Sequence, residues 1–361
     1  MADPMIAALQ GYFGVEHIVP AGRASIGIAA ALRVWGGEGG VAVPASVCQD
    51  VIAAVLLSGR QPVFCDVVPA TGLVPDSEWR RARHAGAEAA IVVHLYGNPA
   101  DTAAVRAVFP DGLLIDDAAQ ALGAQTPQGL AGTGGDVGVV SFGHTKHIEV
   151  GGAALLCRDE DFARACAAQL QNFPITAEAD IQHVEWRFRA GFEAARARLR
   201  ETGENDSFHG LLSGYGPALQ VAWNPAWSAP IATALADYPD RLVARQAKAA
   251  LWAQAVEHTG LIAVGMGAQA APWRYACRMP GVDWAEQHRL AEALRGRGLH
   301  VSHWYLPGHW LMDAPSGSLP GAETLAREAF QFWLDESTSI ETIQHSGPIL
   351  QEILISKERA I

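Results

Sequence analysis

Lysine is almost missing from this sequence. Of 26 basic residues in a chain of 361, only Lys146, Lys248 and Lys357 are lysines, and the other 23 are arginines. Where positive charge alone is wanted, the chain uses Arg. A lysine kept among apolar neighbours therefore asks for a chemical reason, because Lys can shed its proton and form a Schiff base and Arg cannot. Basic runs are missing too, and the formal charge is −12; without a Lys/Arg stripe, neither nucleic acid nor an anionic membrane is an expected partner. No apolar stretch reaches the roughly 20 residues that a membrane-spanning helix needs. The opening MADPMIAALQGYFG has an early Asp and no basic region before an apolar one, so it does not read as a secretory signal. The cysteines (Cys48, Cys65, Cys157, Cys166, Cys277) include no C-x-x-C pair and are odd in number. They read as free thiols in a reducing cytoplasm, with no metal site among them.

What is present is an ample apolar half and only 18% charged residues, enough for a large core. The length exceeds what one core usually fills, so two domains are expected. Segments 39–45, 61–67, 89–97, 112–118, 136–143 and 153–157 are continuously apolar, as strands buried on both faces must be. Helices are expected at 24–35, 48–58, 76–84 and 101–108. Such alternation predicts an open α/β sheet with right-handed crossovers and ligands at the carboxyl ends of its strands. Residues 159–215 are helical and rich in Arg, fit to cover a sheet edge or to contact another subunit. After the proline-punctuated stretch 216–235, a long helix near 240–258 leads into segments 273–280, 284–297 and 300–307, which read as a smaller α+β domain. The expected division is 1–235 and 236–361.

Three segments carry residue types that chemistry needs. IDDAAQALGA (115–124) is an apolar strand ending in Asp116 and Asp117, with Gln120 just beyond. Carboxylates there are costly unless they face a ligand or partner. A pyridinium nitrogen is such a partner, since the carboxylate keeps the ring protonated and a better electron sink. An Asp after a strand also serves as a helix N-cap, and this segment alone does not choose. In VVSFGHTKHIEVGGAALLC (139–157) a strand delivers Ser141, a turn delivers Lys146, and Gly151-Gly152 opens the next strand. A lysine between apolar segments is poised for desolvation, which lowers its pKa and exposes the neutral amine. A solvent-facing loop lysine is the plain alternative. VPAGRASIGIAAAL (19–32) places a glycine ahead of a small-residue helix start, where free backbone N–H groups and Arg23 suit an anion. It is neither a Walker loop nor a G-x-G-x-x-G fingerprint.

Together these segments resemble the DegT/StrS-type sugar aminotransferases, a branch of the fold-type I pyridoxal-phosphate enzymes. The family's E-D-A-A-Q-A-x-G-A, S-F-x-x-T-K and G-G-A read here as DDAAQALGA, SFGHTK and GGAAL, and Lys146 follows Asp117 by 29 residues and Ser141 by 5. HLYGNPAD (94–101) and PVFCDV (62–67) match further family segments. The resemblance implies a mostly parallel seven-stranded sheet with a smaller C-terminal α+β domain, and pyridoxal 5'-phosphate as cofactor. It implies that Lys146 holds the cofactor as a Schiff base and that Asp117 pairs with the pyridine nitrogen. Gln120 would lie by the ring hydroxyl, while Ser141 and the backbone of Gly22, Arg23 and Ala24 would hold the phosphate. Asn224, in WNPAW (223–227), would reach the phosphate of a neighbouring subunit, giving a homodimer with shared active sites. HWYLPGH (303–309) offers Tyr305 and His309 as substrate contacts. His144 and His147 flank the lysine; both fit turn packing, and His144 is kept as a further substrate candidate. Three departures mark a divergent branch. Arg23 replaces a threonine, Cys48 stands where an aromatic stacks on the ring, and WNPAW lacks the family's arginine.

The expected reaction moves an amino group, from glutamate by resemblance, to a keto sugar (often nucleotide-linked) or a keto cyclitol. Lys146 would carry the proton between carbons. A dehydratase, decarboxylase or carbon–carbon lyase on the same scaffold is the enzymatic alternative, and a degenerate regulatory homologue the non-enzymatic one.

Overall fold

The structure, a computed structural model, describes residues 3–303, 305–313 and 317–355; Trp304 and Lys357 lie outside the described residues. The strands are β1 (His17–Ala21), β2 (Gly40–Pro44), β3 (Pro62–Cys65), β4 (Ala87–Val93), β5 (Leu114–Asp117), the short β6 (Gln125–Thr126) and β7 (Gly129–Leu130), β8 (Val137–Ser141), β9 (Ala153–Cys157), β10 (Ile262–Ala263), β11 (Tyr275–Arg278), β12 (Val301–Ser302) and β13 (Ala329–Phe332). The helices are α1 (Pro4–Phe13), α2 (Ala24–Trp35), α3 (Gln49–Leu57), α4 (Asp76–His84), α5 (Thr102–Val108), α6 (Glu160–Asn172), α7 (Glu178–Thr202), α8 (Ser228–Ala236), α9 (Tyr238–Ala255), α10 (Trp284–Gly296), α11 (Pro320–Glu328), α12 (Ile340–Gln344) and α13 (Ser346–Ile355). Several begin where a side chain satisfies the first free N–H groups. Asp3 caps α1, with proline at the first helical position, and Asp101, Asp159 and Asp283 cap α5, α6 and α10.

Seven strands form one sheet in the order β1-β9-β8-β5-β4-β2-β3. Only β9 runs against its neighbours; the others share one direction. Six of the seven were expected from continuous apolar runs. The seventh, β1, reads HIVPA and is only partly buried, so no such run announces it. Pro20 is tolerated because β1 is an edge strand, where a missing N–H breaks no second ladder.

Side chains alternate between the faces with period two. On one face Val41, Val43, Ala89, Ile91, Ile115, Val137, Val139, Leu155 and Val19 join the main core with α2, α3 and α6. On the other, Ala42, Ala90, Val92 and Leu114 pack under α4 and α5, while Val140, Ala154 and Leu156 pack under α1 and α8. This alternation separates two adjacent carboxylates, a point that decides the chemistry below.

A second, antiparallel sheet has the order β10-β11-β13-β12. Tyr275, Cys277, Val301, Phe330 and Phe332 form a core with α9, α10 and α13, in which Trp252 stacks on Phe332 at 4.3 Å between ring centroids. Ala276 and Ala329 instead join the main core, which ties this sheet to the first. No helix among the described residues is long and apolar enough to cross a membrane.

Candidate active site

Strand order decides where the loops open. From β2 the chain first steps outward to β3, then returns past β2 to β4, β5 and β8. Loops after β2 and β4 therefore diverge and leave a crevice at the carboxyl edge, where ligands bind in sheets of this kind. The loops after β1, β2, β4, β5 and β8 carry Gly22-Arg23, Ser46–Cys48, His94–Gly97, Asp117–Gln120 and Ser141–Lys146 respectively.

Asp117 ends β5 on the face of the main core, is buried, and accepts a hydrogen bond from the Ala119 N–H at 2.9 Å. Burial raises its pKa above the ordinary carboxylate value, against the pull of that N–H and of the Lys146 charge. Lys146 is half-buried and has no ion-pair partner among the described residues; its Nζ lies 5.8 Å from the centroid of the Trp273 ring. Its charge also acts on Cys48 and Asp50. The turn presenting Lys146 is strained: Thr145 has φ 63°, in the left-handed region. Trp273 Nε1–H donates to the Thr145 carbonyl at 2.6 Å, and Glu149 accepts from the Thr145 N–H at 2.9 Å. Tyr96, after β4, is likewise at φ 59°. Such strain persists only where its surroundings enforce it, and here two such residues border the same crevice.

Asp116 faces the opposite way and has a different job. It is fully buried, takes a hydrogen bond from His94 Nε2–H at 2.5 Å, and receives the N–H groups of Gly132 and Gly134 at 2.9 and 2.8 Å. His94 Nδ1 accepts from the Ala100 N–H at 2.8 Å, which fixes the tautomer. Asp116→Ala would strand three donors, two buried and one part-buried, each costing about 1–3 kcal/mol. The expected result is a stability loss of roughly 3 kcal/mol or more, read by denaturant unfolding. A loss below about 1 kcal/mol would refute this structural role.

Gln120 links the two sheets' loops. Its Oε1 accepts from the Tyr96 N–H at 2.9 Å, and its Nε2–H donates to the Tyr305 hydroxyl at 2.9 Å. Tyr305 thus stands in the crevice, packed edge to face with Tyr96 at 5.9 Å. Cys48 and Asp117 both raise its pKa, after burial. The Cys48 thiol is itself pushed up to about 12, mainly by burial, and stays neutral.

Most of the other expected site residues have side-chain or backbone neighbours of their own. Arg23 turns its guanidinium to Glu185 at 2.6 Å, with Asp50 at 3.9 Å, so only its backbone remains at the start of α2. Gly22 lies so close to the Val221 carbonyl that a Cβ would sit 1.9 Å from that oxygen. Asn224 is exposed and its side chain accepts from the Ala226 N–H at 3.0 Å, capping its own short turn. Gly151 and Gly152 have positive φ and lie against the Trp227 and Trp223 rings. His144 is exposed and bonded to Glu149 at 2.5 Å. His147 is buried against the Tyr238 ring and kept neutral by burial. His309 is buried beside Glu323 at 3.3 Å and Phe64. Tyr96 and Trp273 were not singled out from sequence. Tyr96 sits within the HLYG match, but nothing local marks Trp273. A cavity of about 180 Å³ lies among Pro44, Trp79, Val93, Leu95 and Val105, with neither Lys146 nor Asp117 in its wall.

A parallel sheet with one reversed strand, its ligand groups gathered at the carboxyl edge, is the fold-type I arrangement of pyridoxal-phosphate enzymes. Residues 5–346 match the DegT/DnrJ/EryC1/StrS aminotransferase family, and the chain belongs to it. It is 36% identical over 162 residues to an L-glutamine:2-deoxy-scyllo-inosose aminotransferase of Streptomyces paromomycinus, a match covering 44% of this chain and 38% of that protein. It is 30% identical over 173 residues to a dTDP-4-amino-4,6-dideoxy-D-glucose transaminase of Shigella dysenteriae, covering 47% of each. These matches span less than half the length of either relative. The fold superposes on the aminotransferase TlmJ from Streptoalloteichus hindustanus with a TM-score of 0.77 at 23% identity, covering 98% of this chain and 90% of that one.

The residues fit the family's cofactor. Helix α2 has no side-chain cap, and the buried Ser25 hydroxyl in its first turn has no partner, which leaves donors for a phosphate. Asp117 is a buried carboxylate suited to a cationic ring nitrogen. The Tyr96 hydroxyl is buried without a partner at the same crevice. No carboxylate among the described residues pairs with the Lys146 amine, which lies 5.8 Å from the Trp273 ring centroid.

Proposed function

We propose that this chain is a pyridoxal-phosphate-dependent aminotransferase. It moves an amino group from an amino-acid donor, glutamate or glutamine, to a keto sugar or keto cyclitol. The observation that carries this reading is the buried Asp117 carboxyl within reach of the Lys146 charge, with Asp116 turned away to the Gly132 and Gly134 N–H groups. The cofactor, when bound, supplies the electron sink that makes the proton on the donor's α-carbon removable. Lys146 Nζ carries that proton away and later delivers one to the acceptor's carbon. Trp273 and Glu149 hold the Thr145 peptide and so aim the lysine. Asp117 keeps the ring nitrogen protonated. Gln120 positions Tyr305, whose ring supplies the aromatic surface that Cys48 lacks. Ser141, Ser25 and the backbone at Gly22–Ala24 hold the phosphate.

Residues 1–235 would carry this site and 236–361 cap it. The exposed Ile175 and Trp186, 73% and 65% accessible, support a homodimer contact through the α6–α7 region, with the exposed Asn224 reaching the partner's site. A cytoplasmic location fits five free thiols. The test uses protein purified with pyridoxal phosphate. Added glutamate or glutamine should convert the aldehyde absorption to that of the amine form, and borohydride reduction before donor addition should place the label on Lys146. Label on another residue, or no conversion with any amino acid, would overturn the reading.

A further inference from the structure

A basic cleft lies between α7 and α10, outside the lysine site. It is lined by Arg196, Leu199, Arg200, Trp284, His288, His303 and their neighbours. At its centre, His303 Nε2 lies 3.0 Å from Arg196 Nη2 and 3.0 Å from His288 Nδ1, while its Nδ1 lies 2.7 Å from Arg295 Nη2. A guanidinium only donates, and a neutral imidazole has one accepting nitrogen. His303 therefore accepts from Arg295 or from Arg196, never from both. In the first tautomer its Nε2–H donates to His288 and confronts Arg196; in the second its Nδ1–H confronts Arg295. Protonation offers no escape, since burial and the flanking arginines hold the His303 pKa down to about 2. One guanidinium edge is left without an acceptor in either case, and unpaired donors in a half-buried site are costly.

The neighbouring acids do not meet this need. Glu193 pairs with the other nitrogen of Arg196 at 3.2 Å, and Glu292 pairs with Arg295; both carboxylates are more than half exposed on the rim. Arg200 adds a third positive charge. Three guanidinium groups thus stand against two rim carboxylates, beside the flat Trp284 ring and two leucines.

We infer that this cleft binds a phosphoryl oxyanion, gripped by Arg196 and Arg200 with His303 and His288 beneath. Planar guanidinium forks match phosphate geometry, and an oxyanion supplies the acceptor that His303 cannot. The enclosed space is small, about 10 Å³, so it takes an oxygen of a head group at its mouth and not a whole buried ligand. His303 is two residues from Tyr305, at most about 7 Å of chain. The phosphoryl group is therefore either carried by the amino acceptor or a free anion bound beside its site.

Calorimetric titration of the pyridoxal-phosphate-loaded protein with inorganic pyrophosphate tests this, the loaded cofactor keeping the probe out of the α2 cradle. Saturable binding is expected, with Kd raised at least about tenfold in Arg196→Gln, the loss of one charged hydrogen bond. Arg200→Gln is the second variant, and the thermal midpoint of each checks its fold. Pyrophosphate competing with a nucleoside-diphosphate-linked keto hexose, raising its KM and not lowering kcat, assigns the cleft to the acceptor's own phosphoryl group. Binding without competition assigns it to a free anion. No binding, or equal binding by wild type and both folded variants, overturns the inference.

Discussion

Lys146→Arg is expected to lower amino transfer by at least about ten-thousandfold while the protein stays folded. Arg keeps the charge and much of the length but cannot present a neutral amine, so it can neither form the Schiff base nor move the proton. Lys146→Ala should be equally inactive. Stability should change little, because the side chain is half-buried and contributes only its position near the Trp273 ring; that contact is worth about 0.5–1 kcal/mol. Steady-state assay with the donor in excess, alongside the thermal midpoint, reads both effects. Activity within tenfold of wild type in either variant would end the assignment.

Asp117→Asn carries the second largest expected effect. The amide preserves shape and burial but removes the charge that keeps the ring nitrogen protonated, so turnover should fall on the order of a hundred- to a thousandfold. The cofactor-free protein offers an independent readout. Burial raises the Asp117 pKa above its unfolded value, with the Ala119 N–H and Lys146 opposing. A carboxyl so raised adds stability in its protonated form below the unfolded pKa, and that contribution is lost as pH rises through the folded pKa. The variant has no such titration. The melting midpoint of cofactor-free Asp117→Asn minus that of wild type should therefore increase with pH across this window. With cofactor bound the difference should reverse, since the carboxylate then has a cationic partner. A pH-independent difference in the cofactor-free pair would show that Asp117 is not the strained acid described.

Much of this was legible along the chain, and the reasons are local. Helices α2 to α5 lie within about two residues of their expected bounds, because small-residue or amphipathic patterns and caps such as Asp101 act over a few residues. Six strands of the large sheet follow from apolar runs. The edge strand β1 and the β13 segment AFQF do not, the first because it is only partly buried and contains Pro20, the second because four residues following a helix carry no boundary signal. The pair Asp116-Asp117 announces a site without saying which acid serves it. Strand periodicity separates the two, but only the ladder β4-β5-β8 shows which face is the crevice. Arg23 reads as an anion ligand until Glu185, 162 residues away, takes its guanidinium.

By itself, then, the chain determined the sheet's strands, the lysine turn, the paired acids and the family pattern, because each depends on residues close together in sequence. Tertiary structure alone decided which acid faces the lysine, that Trp273 props the strained turn, that Gln120 holds Tyr305, and that Arg196, Arg295 and His303 crowd one cleft. Except for the Arg295–His303 contact, those pairs lie more than a hundred residues apart or, for Asp117 and Lys146, 29 residues apart. Side chains so distant in sequence meet only through the order in which strands and helices pack, and no local spacing encodes that order.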